Sequence, residues 1–165
     1  MDIQDKIVEV LPRLRRFAYG LTGSVERGDD LVQSACVRAI EKSNQWQVGT
    51  KFDSWMFRIT KNIFTDAWRT EKVKDRVLDQ IQQESESSSN HDQLENYVSL
   101  HEVRESMSKL SEEHRAILML ICVEGYSYQE ASEMLNIPVG TVASRVVRAR
   151  SALLVEINVL PGNGV

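Results

Sequence analysis

The sequence predicts an all-α protein, built as two small helical domains joined by a flexible linker. Three observations lead there. Apolar residues recur at three- and four-residue spacing along most of the 165 residues, and few stretches alternate as strands do. A polar, serine-rich stretch, QQESESSSNHDQ, interrupts that periodicity in mid-chain and reads as linker. After it, SYQEASEMLNIPVGTVASRVVRAR has the form of two helices around a short turn, a helix-turn-helix within the C-terminal domain. The implied boundaries are 1–72, a linker over 73–93, and 94–160. Each domain is near the lower size limit for an independent core, so a partner surface could add to its stability.

The elements follow in order. Residues 5–20 read as a helix with Ile7, Leu11, Leu14 and Phe17 or Ala18 on one face, ended by Gly20 and LTGS. GDDLVQSACVRAIEK reads as a second helix, with Asp29 or Asp30 suiting its start by capping and by the helix dipole. Its apolar side is Leu31, Val32, Ala35, Cys36, Ala39 and Ile40. The loop SNQWQVGTK leads into a long helix, FDSWMFRITKNIFTDAWRTEK, capped by Asp53 or Ser54. Past the linker, LENYVSLHEVRESMSKL, SEEHRAILMLICVEG, SYQEASEML and PVGTVASRVVRARSALLVEI read as four further helices.

Composition narrows the function. The chain carries 20 Lys and Arg against 24 Asp and Glu, a formal net charge of −4. Residues 1–72 hold 12 basic and 10 acidic groups, 73–110 hold 4 and 8, and 111–165 hold 4 and 6. An acidic total argues against a non-specific nucleic-acid coat but permits a local basic face. No apolar run approaches the roughly 18 residues of a membrane helix, so no membrane insertion and a cytoplasmic location are expected. Cys36 and Cys122 lie in apolar-periodic stretches and read as buried free thiols. His91, His101 and His114 lack the spacing that puts two ligands on one helix face, so no metal site and no cofactor is expected. Phosphate-binding glycine loops and nucleophile elbows are missing too, so an enzyme is not expected.

Two motifs carry chemistry. In the C-terminal pair, Ser127 can cap the first helix, small Ala131 allows close approach, Asn136 and Ile137 form the turn, and Pro138 can enter the next helix. Val142, Val146, Ala149 and Leu153 line one side of that second helix; Thr141, Ser144, Arg145 and Arg148 line another. Arginine reads guanine or holds phosphate through paired donors, and Ser and Thr add shorter contacts, which is the chemistry of major-groove docking. Against this stands a plain solvated helix face in a bundle. In the N-terminal helix, Met56, Ile59, Ile63 and Ala67 form an apolar stripe, widened by Phe57, Phe64 and Trp68. Arg58, Lys61, Asn62, Thr65 and Arg69 form a polar, basic one, with Trp46, Phe52 and Trp55 near its start. Rings beside amides and cations suit single-stranded or melted nucleic acid. A packed aromatic core is the competing reading, and for Phe57, Phe64 and Trp68 it is the preferred one.

Both motifs, in this order, resemble the extracytoplasmic-function (ECF) group of bacterial sigma factors within the sigma-70 superfamily. The matching stretches are DDLVQSACVRAI and FDSWMFRITKNIFTDAWR, then LSEEHRAILMLICVEGYSYQEASEMLNIPVGTVASRVVRAR. The resemblance implies a transcription initiation factor that binds core RNA polymerase and directs it to specific promoters, helping to melt the minus-ten element. By this resemblance Asp30, Leu31, Gln33 and Arg38 meet the beta-prime clamp helices. The loop 44–51 with Phe52, Trp55, Arg58, Lys61, Asn62 and Arg69 meets the minus-ten element and a flipped base. Ser127, Thr141, Ser144, Arg145 and Arg148 meet the minus-thirty-five element, and the same domain meets the beta flap. A stress-response role and an anti-sigma factor are also implied. Two positions depart from the pattern: Ala143, where Lys or Arg is common, and Ser34, where an acid is common. The alternatives are a sigma-like decoy that binds an anti-sigma factor without DNA, and a stand-alone helix-turn-helix repressor. A decoy would lose Lys61, Asn62, Arg145 and Arg148; a repressor would not need the aromatic, basic helix near residue 60.

Overall fold

The computed structural model describes residues 2–78 and 99–159, and among these every regular element is helical. Helix α1 spans Ile3–Thr22, α2 Val25–Glu41 and α3 Phe52–Leu78, with a single 3-10 turn at Ser43–Gln45. In the second half α4 spans Leu100–Ser108 and α5 Glu112–Leu118, which widens into a π-helical turn at Met119–Val123. Helices α6, Tyr128–Leu135, and α7, Val139–Val159, follow. The two-domain, all-helical expectation holds. Helix α3 runs past position 72, and the rest of the expected linker, with residues 94–98, lies outside the described residues.

Helix ends differ from the sequence reading for local reasons. Asp2 caps α1 through Ile3 N–H, and Gly23, at φ 72°, closes it by donating to the Tyr19 carbonyl. Gly20, expected to end the helix, sits inside it. A Cβ there would come within 2.4 Å of Met119 Sδ, so the missing side chain serves a close approach of the two halves. Ser24 caps α2 by accepting from Arg27 N–H, which starts the helix a turn before Asp29. Asp29 instead accepts from the Tyr19 hydroxyl at 2.6 Å.

Burial corrects five side-chain placements. Thr65, expected on the polar stripe of α3, is buried, and Ala67, expected on the apolar one, is exposed. The buried side of α3 follows Phe57, Thr60 and Phe64; Thr60 tolerates burial by donating back to the Met56 carbonyl at 2.8 Å. Ile40, in the last turn of α2, is 47% exposed. Both cysteines are free, but Cys36 is half-buried and Cys122 is exposed on the π turn, where Arg150 donates to its sulfur at 3.7 Å.

The main core does not stop at the domain boundary. Leu14, Phe17, Leu21 and Phe57 from the first half share one buried cluster with Leu120 and Tyr126 from the second. Phe57 links them, with its ring 4.8 Å from Phe17 edge-on and 5.6 Å from Tyr126. A second, smaller cluster of Ile117, Ala131, Val142, Val146 and Ala149 belongs to the C-terminal half alone. Two small domains thus join their buried cores across the boundary.

Candidate nucleic-acid interface

Three surfaces hold the residues singled out in the sequence. On α2, Asp30, Gln33 and Arg38 are exposed, whereas Leu31 is buried in the core at 7% exposure. Asp30 and Leu31 border a shallow depression of about 220 Å³ with Arg27, Ser34 and Phe64. Leu31 therefore presents only an edge, and the exposed polar neighbours define this face.

The second surface is a cleft of about 820 Å³ at the start of α3. The loop 44–51 and α3 bring an aromatic series to its wall: Trp46 stands edge-on to Phe52 at 5.3 Å, and Phe52 lies 5.6 Å from Trp55. Lys6 places its ammonium 4.8 Å from the Trp46 ring centroid, fixing that ring from behind. Trp55, Arg58 and Asn62 line the cleft at successive turns of one helix face, and Lys51 and Arg38 add cations at its rim. Lys61, half-buried, and the exposed Arg69 lie outside this lining, and Phe52 supports it through ring contacts.

The third surface is the helix-turn-helix. Ser127 caps α6 in a reciprocal capping box with Glu130. Asn136, at φ 54° and ψ 50°, makes the left-handed turn and donates to the Ser132 carbonyl. Pro138 precedes α7 and its carbonyl accepts from Val142 N–H, so its missing N–H costs no helical bond. Val142, Val146 and Ala149 are fully buried, with Leu153 half-buried beside them. On the outer flank Thr141 and Ser144 are half-buried, with the Ser144 hydroxyl donating to the Thr141 carbonyl at 3.1 Å, and Arg148 is exposed. Arg145 lies closer to the core side than Arg148 and sits 3.8 Å from Glu113.

A fourth set of polar contacts joins the two halves, and its pairings were not singled out in the sequence. Arg13 donates to Glu124 Oε2 at 3.1 Å, to Asp53 Oδ2 at 3.1 Å and to the Tyr126 hydroxyl at 2.8 Å. Arg16 chelates both oxygens of Glu124 at 2.8 and 2.9 Å. The Glu124 side chain has no solvent exposure. Burial works against a charged Asp53, yet hydrogen bonds from Tyr126, at 2.7 Å, and from Arg13 outweigh it and hold that carboxyl below its ordinary range. Lys51 pairs with Glu130, and with the Ser127 N–H this lowers the Glu130 pKa to about 2. Arg58 donates to the carbonyls of Glu133, at 2.7 Å, and Met134, at 3.3 Å. These partners are separated by 40 to 113 residues, and no local pattern announces them.

Comparison with known proteins agrees with this arrangement. Sigma-70 region 2 matches residues 7–73, and Sigma-70 region 4 matches residues 100–153. The chain is 33% identical over 151 residues to the ECF RNA polymerase sigma factor EcfG of Rhodopseudomonas palustris, covering 92% of this chain and 82% of that one. The chain belongs to the ECF sigma factors. As such it acts in transcription initiation together with RNA polymerase, and the residues matched by regions 2 and 4 correspond to the two helical halves. It is also 30% identical over 152 residues to the ECF sigma factor SigW of Bacillus subtilis, covering 86% and 81% of the two chains. The co-crystal structure of the sigma factor RpoE with the anti-sigma factor NepR from Bartonella quintana aligns at a TM-score of 0.78 and 29% identity. That alignment covers 96% of this chain and 98% of RpoE. No described helix is long and apolar enough to cross a membrane.

Proposed function

We propose that this ECF sigma factor engages core RNA polymerase through the exposed face of α2, with Asp30, Gln33 and Arg38 against the beta-prime clamp helices, and through α4–α7 against the beta flap. In this reading Trp55, Arg58 and Asn62, with the loop 44–51, receive the opened minus-ten element. Aromatic faces stack bases, the amide pairs with a base edge, and Lys51 and Arg58 hold phosphates. Lys61 and Arg69 serve the flanking backbone. Helix α7 docks on the minus-thirty-five element through Thr141, Ser144, Arg145 and Arg148, with Ser127 toward the adjoining phosphates.

The observation that carries the reading is the aromatic and cationic cleft on the same chain as a helix-turn-helix with an outward polar flank. A repressor needs only the second of these. The relative crystallised with NepR supports an anti-sigma factor as a further partner.

The test is reconstitution of the full chain with core polymerase, followed by run-off transcription and pull-down. Binding should fall at least tenfold in Asp30→Arg/Gln33→Ala, with helicity by circular dichroism unchanged. A chain that binds an anti-sigma factor but neither core polymerase nor promoter DNA would establish the decoy reading instead.

A further inference from the structure

The two halves meet through the very groups assigned above to the minus-ten element. Lys51 is taken by the Glu130 carboxylate. Arg58 is taken by the Glu133 and Met134 carbonyls, at the C-terminal end of α6. A carboxylate and the negative end of a helix are the acceptors that most resemble a phosphate backbone. Glu130, Glu133 and Met134 also form the opposite wall of the cleft that Trp55 and Asn62 line. Behind this cover, Arg13 and Arg16 grip the solvent-free Glu124, and Gly20 lets Met119 pack directly on α1.

We infer that this packing is a closed state in which α6 covers the minus-ten face as an internal stand-in for DNA phosphates. The C-terminal half must then move away before Lys51 and Arg58 take promoter DNA. The inference rests on the minus-ten reading of that cleft and concerns its regulation. The interface combines ion pairs with an apolar seam around Phe57, Met119 and Tyr126, so it opens to a partner that competes for both. If one molecule in about ten is open, the apparent affinity of the cleft for DNA is reduced about tenfold.

Gly20 and Met119 supply a reversible lock. A Cβ built at position 20 lies 2.9 Å from Met119 Cγ, which is where a sulfur introduced at position 119 would sit. That placement suits a disulfide, in which a Cβ stands about 3 Å from the partner sulfur across an S–S bond of roughly 2.05 Å. The full chain carrying Gly20→Cys and Met119→Cys, in a Cys36→Ser/Cys122→Ser background, is oxidised and checked by non-reducing electrophoresis. It is then combined with core polymerase for run-off transcription. The oxidised form should transcribe at least tenfold less than the background protein, and dithiothreitol should restore it. Cross-linked protein that transcribes within twofold of its reduced form overturns the inference.

A second variant, Glu124→Gln/Glu130→Gln, opens the contact without any disulfide. It should raise the affinity of the isolated chain for a fluorescein-labelled single-stranded minus-ten oligonucleotide about tenfold and enlarge the radius of gyration in solution scattering. Enlargement with no gain in affinity also overturns the inference. If instead the reduced and background proteins bind polymerase yet never open a promoter, the minus-ten reading itself falls.

Discussion

Replacing Arg13 with alanine removes the guanidinium that ties both halves together. It makes hydrogen bonds at 3.1, 3.1 and 2.8 Å to Glu124, Asp53 and Tyr126, and its charge lies 5.4 and 5.5 Å from the Phe57 and Tyr126 ring centroids. A hydrogen bond to a charged group contributes about 1.5–3 kcal/mol, and a partly exposed cation–π contact about 0.5–1 kcal/mol. Two features lower the total. The Arg13 side chain keeps 37% exposure, which weakens its charge interactions. Arg16 goes on chelating Glu124, and Tyr126 goes on donating to Asp53, so neither carboxylate is left unpaired. The net cost is then about 2 kcal/mol. With a urea dependence of about 2 kcal/mol/M, the unfolding midpoint of the full chain should fall by about 1 M. Arg16→Ala, whose side chain is 54% exposed and binds a single carboxylate, should cost about half as much. Urea titration followed by circular dichroism and tryptophan fluorescence measures both. A midpoint shift under about 0.2 M for Arg13→Ala, or one smaller than for Arg16→Ala, refutes Arg13 as the joint between halves.

Three other outcomes are expected. Asn62→Ala should reduce open-complex formation more than closed-complex binding; permanganate footprinting on a native promoter reads this, and equal loss at both stages counts against a base-capture role. Arg148→Ala should lower transcription from promoters that need the minus-thirty-five element about tenfold, in line with the roughly 1–3 kcal/mol of a lost base contact. Arg150→Ala, whose side chain turns toward Cys122, should change it less than twofold; comparable losses would mean that the docking flank of α7 is misplaced. The Glu130 pKa of about 2, against an ordinary 4.5, means that this carboxylate favours the closed packing at neutral pH and loses that contribution as pH falls from about 5 toward 2. Asp53, also lowered, acts in the same direction. A carbon-detected NMR titration should place the Glu130 midpoint well below that ordinary value and shift it upward in Lys51→Gln; an ordinary midpoint in the unmodified chain refutes the Lys51 pairing.

The helical class, the order of the elements and the helix-turn-helix were legible in the sequence because they rest on short-range physics. The three- and four-residue spacing of Val142, Val146 and Ala149 fixes one face of α7, and Ser127 with Glu130 three residues later marks the start of α6. Trp55, Arg58 and Asn62 could be grouped on one face from spacing alone. Rotational detail was less legible. Thr65 reads as polar, yet it lies on the side that Phe57 and Phe64 bury. Gly20 reads as a helix end, yet it is a contact point, because the sequence does not show that Met119 will lie against it. Only tertiary packing decided that Arg13, Arg16, Asp53, Glu124 and Tyr126 form one network, and that α6 lies over the cleft. An arginine that faces only solvent and one bound across the two halves have the same local sequence signature. What separates them is the partner delivered by a chain reversal more than 100 residues away, whose energy no local propensity contains.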